Sequence, residues 1–289
     1  MIKYNPKNWY RLIFALHKSD TLRILWKEMI YIAVFSVSLA FLVITYGSHI
    51  EALRDLTAVY SLVGFVISLL LVFRTNTAYD RWWEGRKKWG CLVNDTRNLA
   101  IKLSTLLTTK EDKDFFKRMI PNFAFATKEH LREGVDFDEL ELNTEELAFL
   151  KQRDHVPNGI TQMMYERIHV LKKKGEITEE EFIIIDKNLN ALLDSLGGCE
   201  RIKNTPIPFS YMLFLKKFII MYVVTLPLAF VSVFGYYAAI ISTFIFYVLV
   251  SMEVLAEEIE DPFGTDDNDL PTAGLSLKIR ENVAEIFGK

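Results

Sequence analysis

RTNTAYDRWWEG, residues 74–85, follows without a break on the apolar run 58–73, AVYSLVGFVISLLLVF. An uncharged run that passes straight into Arg74, Asp80, Arg81 and Glu84, with no Pro or Gly between, reads as one helix that leaves a bilayer and continues beyond it, through residues 80–107. Trp82 and Trp83 sit at the junction. Interfacial tryptophans are ordinary membrane anchors. Adjacent positions point to different sides of a helix, however, so at least one of the pair is expected to pack within the protein or at a contact between subunits.

Three more apolar runs complete the membrane part: 30–47, 218–235, and 237–255, the last interrupted by Glu253 near its end. The run 58–73 is short for about 20 spanning residues, which a start near Leu56 and a snorkelling Arg74 would remedy. Runs three and four nearly touch and read as a tight helical hairpin. The segment ahead of the first run carries Lys3, Lys7, Arg11, Lys18, Arg23 and Lys27, whereas the loop after it has a single basic residue, Arg54. That bias places the N-terminus in the cytoplasm, and four crossings place residues 74–206 and the C-terminal tail there too. The first run lies behind a charged segment with no small-residue cleavage site after it, so it is expected to remain in the membrane.

Composition agrees with this segregation. Hydrophobic residues make up 51% of the 289 and charged residues still reach 25%. A net charge of −3 argues against a nucleic-acid partner. Cys91 and Cys199 lie far apart and read as free thiols. The five histidines are scattered, with no HExxH, no phosphate-binding loop and no Ser/His/Asp arrangement, so no enzyme class is supported.

The middle segment reads as helical throughout. Asn143 with Glu146 and Thr178 with Glu181 fit helix N-termini. Pro157-Asn158-Gly159 reads as a turn, and Gly175 and Gly197-Gly198 as helix stops. Ile160, Met163, Met164, Ile168 and Leu171 recur at helical spacing. No strand alternation stands out, and the fold class is all-α with four membrane helices and a large helical region, 74–206.

Four constellations are candidates for function. Phe65, Leu69 and Phe73 form an i, i+4, i+8 stripe, with the small residues Ser61, Gly64 and Ser68 beside it. Such a stripe either faces lipid or, in a ring of helices, makes a hydrophobic constriction. The charges from Arg74 to Arg86 gather at the exit of that helix. In the segment 198–211, GCERIKNTPIPFSY, Pro206 and Pro208 prevent a continuous helix. The resulting bend is either a plain hinge or a device that carries Ile207 or Ser210 to an axis. Finally, residues 253–269 hold eight acids and no base. Asp266, Asp267, Asn268 and Asp269 offer closely spaced hard oxygen ligands of the kind calcium takes, though not in EF-hand spacing. A solvated acidic turn is the plain alternative.

Three stretches, FRTNTAYDRWWEGR (73–86), CERIKNTPIPFSY (199–211) and LAEEIEDPFGTDDNDLP (255–271), resemble the bestrophins, and most closely their bacterial members. They occur in the right order, each at the edge of a membrane run, and the resemblance covers nearly the whole chain as a single channel domain, 1–289, ending in the acidic C-terminal segment 256–289. It implies a homopentamer in a bacterial inner membrane, conducting monovalent ions along a central axis. It implies a neck at Phe65, Leu69 and Phe73, and a second aperture at Ile207 or Ser210. In animal members a calcium clasp falls on the acidic turn, which here corresponds to Asp261, Asp266 and Asp269. This chain departs from that pattern at Asp261, where animal members have Asn, and at Asn268, where they have an acid. The family passes chloride, and a neck without fixed charge would also suit cations in a bacterial member. A transporter or a scaffold with a partner-binding helical region is the reading from another class.

Overall fold

A computed structural model describes residues 20–47, 56–132, 134 and 136–288. The described residues are helical: α1 (Thr21–Tyr46), α2 (Leu56–Leu106), α3 (Lys110–His130), a 3-10 turn (Phe137–Glu139), α4 (Thr144–Leu150), α5 (Val156–Lys173), α6 (Glu179–Asn204), α7 (Phe209–Phe234), α8 (Tyr237–Glu260) and α9 (Thr272–Ile286). Four of them, α1, α2, α7 and α8, are long and apolar enough to cross a membrane. The basic residues Lys3 to Lys18 and the loop 48–55 lie outside the described residues.

No proline falls inside α2, and its 51 residues run unbroken. At about 1.5 Å per residue this helix is about 76 Å long, more than twice the ~30 Å hydrocarbon core of a bilayer.

The chain divides into two compact units. One takes the described residues through Trp82 with Pro206–Asp261 and Asp266–Asn268; the other takes Trp83–Thr205, Pro262–Thr265 and the chain from Asp269.

In the first unit α1 packs on α7 and α8, and α7 packs on α8. Its core joins Ile67 and Leu71 of α2 to Leu215, Ile219, Val223 and Leu226 of α7 and Phe246 and Leu249 of α8. Helices α7 and α8 are joined through Gly235, whose φ of 53° permits a reversal that a side chain would resist. Much of the outer apolar surface stays uncovered: Tyr31 is 71% exposed, Ile240 67% and Phe244 63%. Those faces suit lipid or further copies of the chain rather than water. Pro227 lies within α7 without interrupting it.

In the second unit α3 packs against α5 and α9, and α5 against α4 and α6. Both expected N-termini carry full capping boxes, Asn143 with Glu146 and Thr178 with Glu181. Ile160, Met164, Ile168 and Leu171 form the buried stripe of α5, with Met163 half-buried beside them. Gly175, at φ 77°, follows the end of α5 as expected. Two readings are corrected here. Pro157-Asn158-Gly159 is the first turn of α5, where proline's missing N–H costs nothing, rather than a separate turn. And α6 runs straight through Gly197-Gly198. A Cβ on Gly198 would stand 2.4 Å from Cε of Lys88, so this glycine serves close packing and not helix termination.

Candidate functional site

Helix α2 has two faces along its apolar length. Ile67, Leu71, Arg74 and Ala78, spaced by four, three and four, are at most 2% exposed and turn into the first unit. Phe65, Leu69 and Phe73 are each about 200° round the helix from one of these or its neighbour, and are 66%, 45% and 56% exposed. The stripe singled out in the sequence therefore lies opposite the packed face and is uncovered within the chain.

The small residues beside it have a different neighbour. A Cβ at Gly64 would meet the Tyr222 hydroxyl at 2.5 Å. That hydroxyl donates to the Tyr60 carbonyl at 3.2 Å. Ser61, Gly64 and Ser68 line an open groove of about 440 Å³ shared with α7 and α8. Smallness on this stripe thus permits close approach of α7.

Where α2 leaves its apolar stretch, a buried ionic cluster takes over. Arg74 is fully buried, so the snorkelling expected of it is corrected: it turns inward because two carboxylates meet it there. Its Nη2 donates to Glu260 Oε2 at 2.6 Å, and its Nε lies 3.7 Å from Glu253. Glu260 Oε1 accepts the Ile207 N–H at 2.8 Å, and the Glu260 carbonyl accepts from Arg81 Nε at 3.1 Å. One residue at the end of α8 thereby fastens α2 and the proline-flanked stretch before α7. Glu260 went unremarked in the sequence as one acid among eight. The signal was present: an Arg and a Glu each stand at the end of an apolar helix. Ile207 is buried, at 9% exposed, and Ser210, in the first turn of α7, is exposed.

The tryptophans divide as expected. Trp82 is half-buried, stacks on Tyr79, and donates its indole N–H to the Asn268 carbonyl at 3.0 Å. Trp83 is 44% exposed, with Lys87 over its ring.

Of the acidic turn, Asp261 and Asp266 are exposed in the first unit. Asp269 in the second unit is buried, with Oδ2 2.7 Å from where a Cβ on Gly264 would stand. Pro262 and Phe263 lie against Gly85 of α2, where a Cβ would come within 3.1–3.2 Å of both. Arg132 holds the same stretch through the Phe263 carbonyl and the Thr272 hydroxyl. The glycine of the RWWEG stretch and the DPFG stretch are thus two halves of one packing contact.

Cys91 and Cys199 are both free thiols, the first exposed and the second buried. Burial pushes the Cys199 thiol up to about 12, against the opposing pull of Lys88. Among the described residues, imidazole and carboxylate ligand atoms gather at His130, His155 and Glu200.

Comparison with known proteins adds the following. The family model described as Bacterial/Fungal Bestrophin protein matches residues 1–285. A voltage-dependent anion channel-forming protein of Nostoc is 33% identical over 287 residues, covering 97% of this chain and 92% of the relative. The voltage-dependent anion channel-forming protein YneE of Escherichia coli K12 is 34% identical over 273 residues, covering 94% of this chain and 89% of the relative. The crystal structure of a bacterial bestrophin homologue from Klebsiella pneumoniae superposes with a TM-score of 0.79 at 30% identity, covering 90% of this chain and 98% of that one.

Proposed function

The chain belongs to the bacterial and fungal bestrophin family, and from that premise we propose that it is a passive ion channel of the bestrophin type, not a catalyst. The observation that carries the proposal is the stripe of Phe65, Leu69 and Phe73, exposed on α2 opposite the face packed in the first unit. In a homopentamer, five such stripes facing the axis make a hydrophobic neck, where side chains one turn apart control wetting and passage. Ser210, exposed beside the buried Ile207, is the better candidate of the two for a second aperture.

The whole chain acts as one channel domain, with residues 74–206 and both termini on the cytoplasmic side of the bacterial inner membrane. The permeant species are monovalent ions, and the names of the relatives support anions. The neck holds no fixed charge, so selectivity must come from aromatic edges and from polar groups elsewhere along the path. Carboxylates at Asp261, Asp266 and Asp269 are hard donors that suit calcium, with Asp269 buried over Gly264. A current unaffected by removing calcium would show that no calcium clasp gates this chain. A transporter is the weaker reading: such proteins bind substrate at broken helices, and α7 passes Pro227 intact.

The test is the reversal potential of purified protein in planar bilayers under an asymmetric KCl gradient. Reversal near the chloride equilibrium potential is expected. Reversal near the potassium potential would reassign the channel to cations, and saturable flux without channel current would favour a transporter.

A further inference from the structure

We propose that His130, His155 and Glu200 form a site for one divalent transition cation of the zinc type. The three residues come from separate elements of the second unit: His130 ends α3, His155 caps the N-terminus of α5, and Glu200 lies in α6. Both imidazole Nε2 atoms reach the same carboxylate oxygen, Oε1 of Glu200, at 2.8 Å from His130 and 2.7 Å from His155. The rings lie 4.2 Å apart between centroids, and all three ligand atoms fall within 4.8 Å of one another.

Two imidazole nitrogens and one carboxylate oxygen are a borderline donor set, suited to zinc and its neighbours and poorly suited to calcium or magnesium. Bonds of about 2.0–2.1 Å in a tetrahedron place ligand atoms roughly 3.3 Å apart. The two nitrogen–oxygen separations therefore need to open by about half an ångström to admit the ion, within the reach of side-chain torsions. The side chains are 25%, 32% and 27% exposed, so solvent reaches all three ligands.

With no metal, each imidazole donates Nε2–H to the carboxylate. To ligate through Nε2, each ring moves that proton to Nδ1, and no proton leaves either ring. For His155 this has a structural consequence, because its Nδ1 accepts the Asn158 N–H at 3.2 Å as the helix cap. Metal binding gives up that one bond. It lies at an exposed position where water can replace it, and two metal–nitrogen bonds and a metal–carboxylate bond stand against the loss. The alternative is a hydrogen-bonded trio that only pins three helices together.

The variants that separate the two each remove one ligand: the first keeps the cap bond to Asn158 and gives up the bond to Glu200, and the second keeps an acceptor for both imidazoles. His155→Asn retains a good helix cap. Glu200→Gln retains an acceptor oxygen without the charge. His169→Ala serves as the control, since that histidine lies outside the trio. The untagged full-length chain in detergent is titrated calorimetrically with zinc chloride in a non-chelating buffer, and its thermal unfolding is followed with zinc and with calcium. The expected result is one zinc per chain, a Tm raised by zinc and unmoved by calcium, and wild-type binding in H169A. The affinity should fall by on the order of tenfold or more in H155N and in E200Q. Wild-type affinity and stoichiometry in H155N and E200Q, or no zinc uptake by the wild-type chain, would overturn the proposal.

Discussion

Replacing Arg74 by Met should destabilise the chain by about 3–5 kcal/mol, because it leaves two carboxylates facing one another inside the protein. The magnitude follows from the geometry. At 2.6 Å from Glu260 and an effective dielectric of about 20, the attraction is roughly 6 kcal/mol. Desolvating each ion costs several kcal/mol, so the intact pair contributes little net stability. Removing only the cation leaves the desolvation of Glu260 uncompensated, with Glu253 beside it at 5% side-chain exposure. Glu260→Gln should cost less, about 1.5–3 kcal/mol. It removes the charge-assisted bond, while its amide oxygen can still accept the Ile207 N–H. In R74M/E260Q one of the stranded carboxylates is gone, and the combined loss should be smaller than the sum of the single losses by about 1–3 kcal/mol. The assay is unfolding of the purified protein in mixed micelles by a denaturing detergent, followed by circular dichroism, for the wild type and the three variants. Additivity within about 0.5 kcal/mol, or an R74M variant as stable as wild type, would mean that Arg74 and Glu260 are not coupled as a buried pair.

Gly64→Ala places a methyl 2.5 Å from the Tyr222 hydroxyl and should destabilise the membrane unit by about 1–3 kcal/mol in the same assay. Tyr222→Phe in that background should recover most of the loss, and equal stability of the two would show that the contact is irrelevant. With its thiol pushed up to about 12 and only 2% exposed, Cys199 should resist maleimide at pH 7, whereas exposed Cys91 should react. The thiolate fraction of Cys199 at that pH is on the order of 10⁻⁵, and rises only as pH approaches the raised value. Mass spectrometry locates the adduct, and one on Cys199 in the folded protein would contradict its burial.

What could be read from the sequence was whatever depended on local pattern. Uncharged runs, helical spacing and capping pairs are written in neighbouring residues, and α2, the two capping boxes and Gly175 follow from them. Pro157-Asn158-Gly159 was misread locally, since the same residues suit a turn and a helix start; the other misreadings came where a residue answers to something distant. Gly198 looks like a helix stop until Lys88 is found against it, 110 positions earlier in the chain. Arg74 looks like a snorkelling anchor until Glu253 and Glu260 are found beside it. The stripe of Phe65, Leu69 and Phe73 is periodic, so its existence was legible. Its role was not, because an apolar stripe has the same pattern against lipid as around a pore. His130, His155 and Glu200 carried no signal at all, since single residues on three helices make no spacing.

Ion passage rests on the neck, and single-channel conductance reads its width. Wild-type and Leu69→Ala proteins, each confirmed as an assembled oligomer, are compared in planar bilayers under symmetric KCl. Discrete currents in the wild type and a larger unitary conductance in L69A are predicted, because the truncation widens the constriction. A well-folded L69A with unchanged conductance would contradict the placement of the neck on this stripe, and no current from either protein would contradict the channel itself.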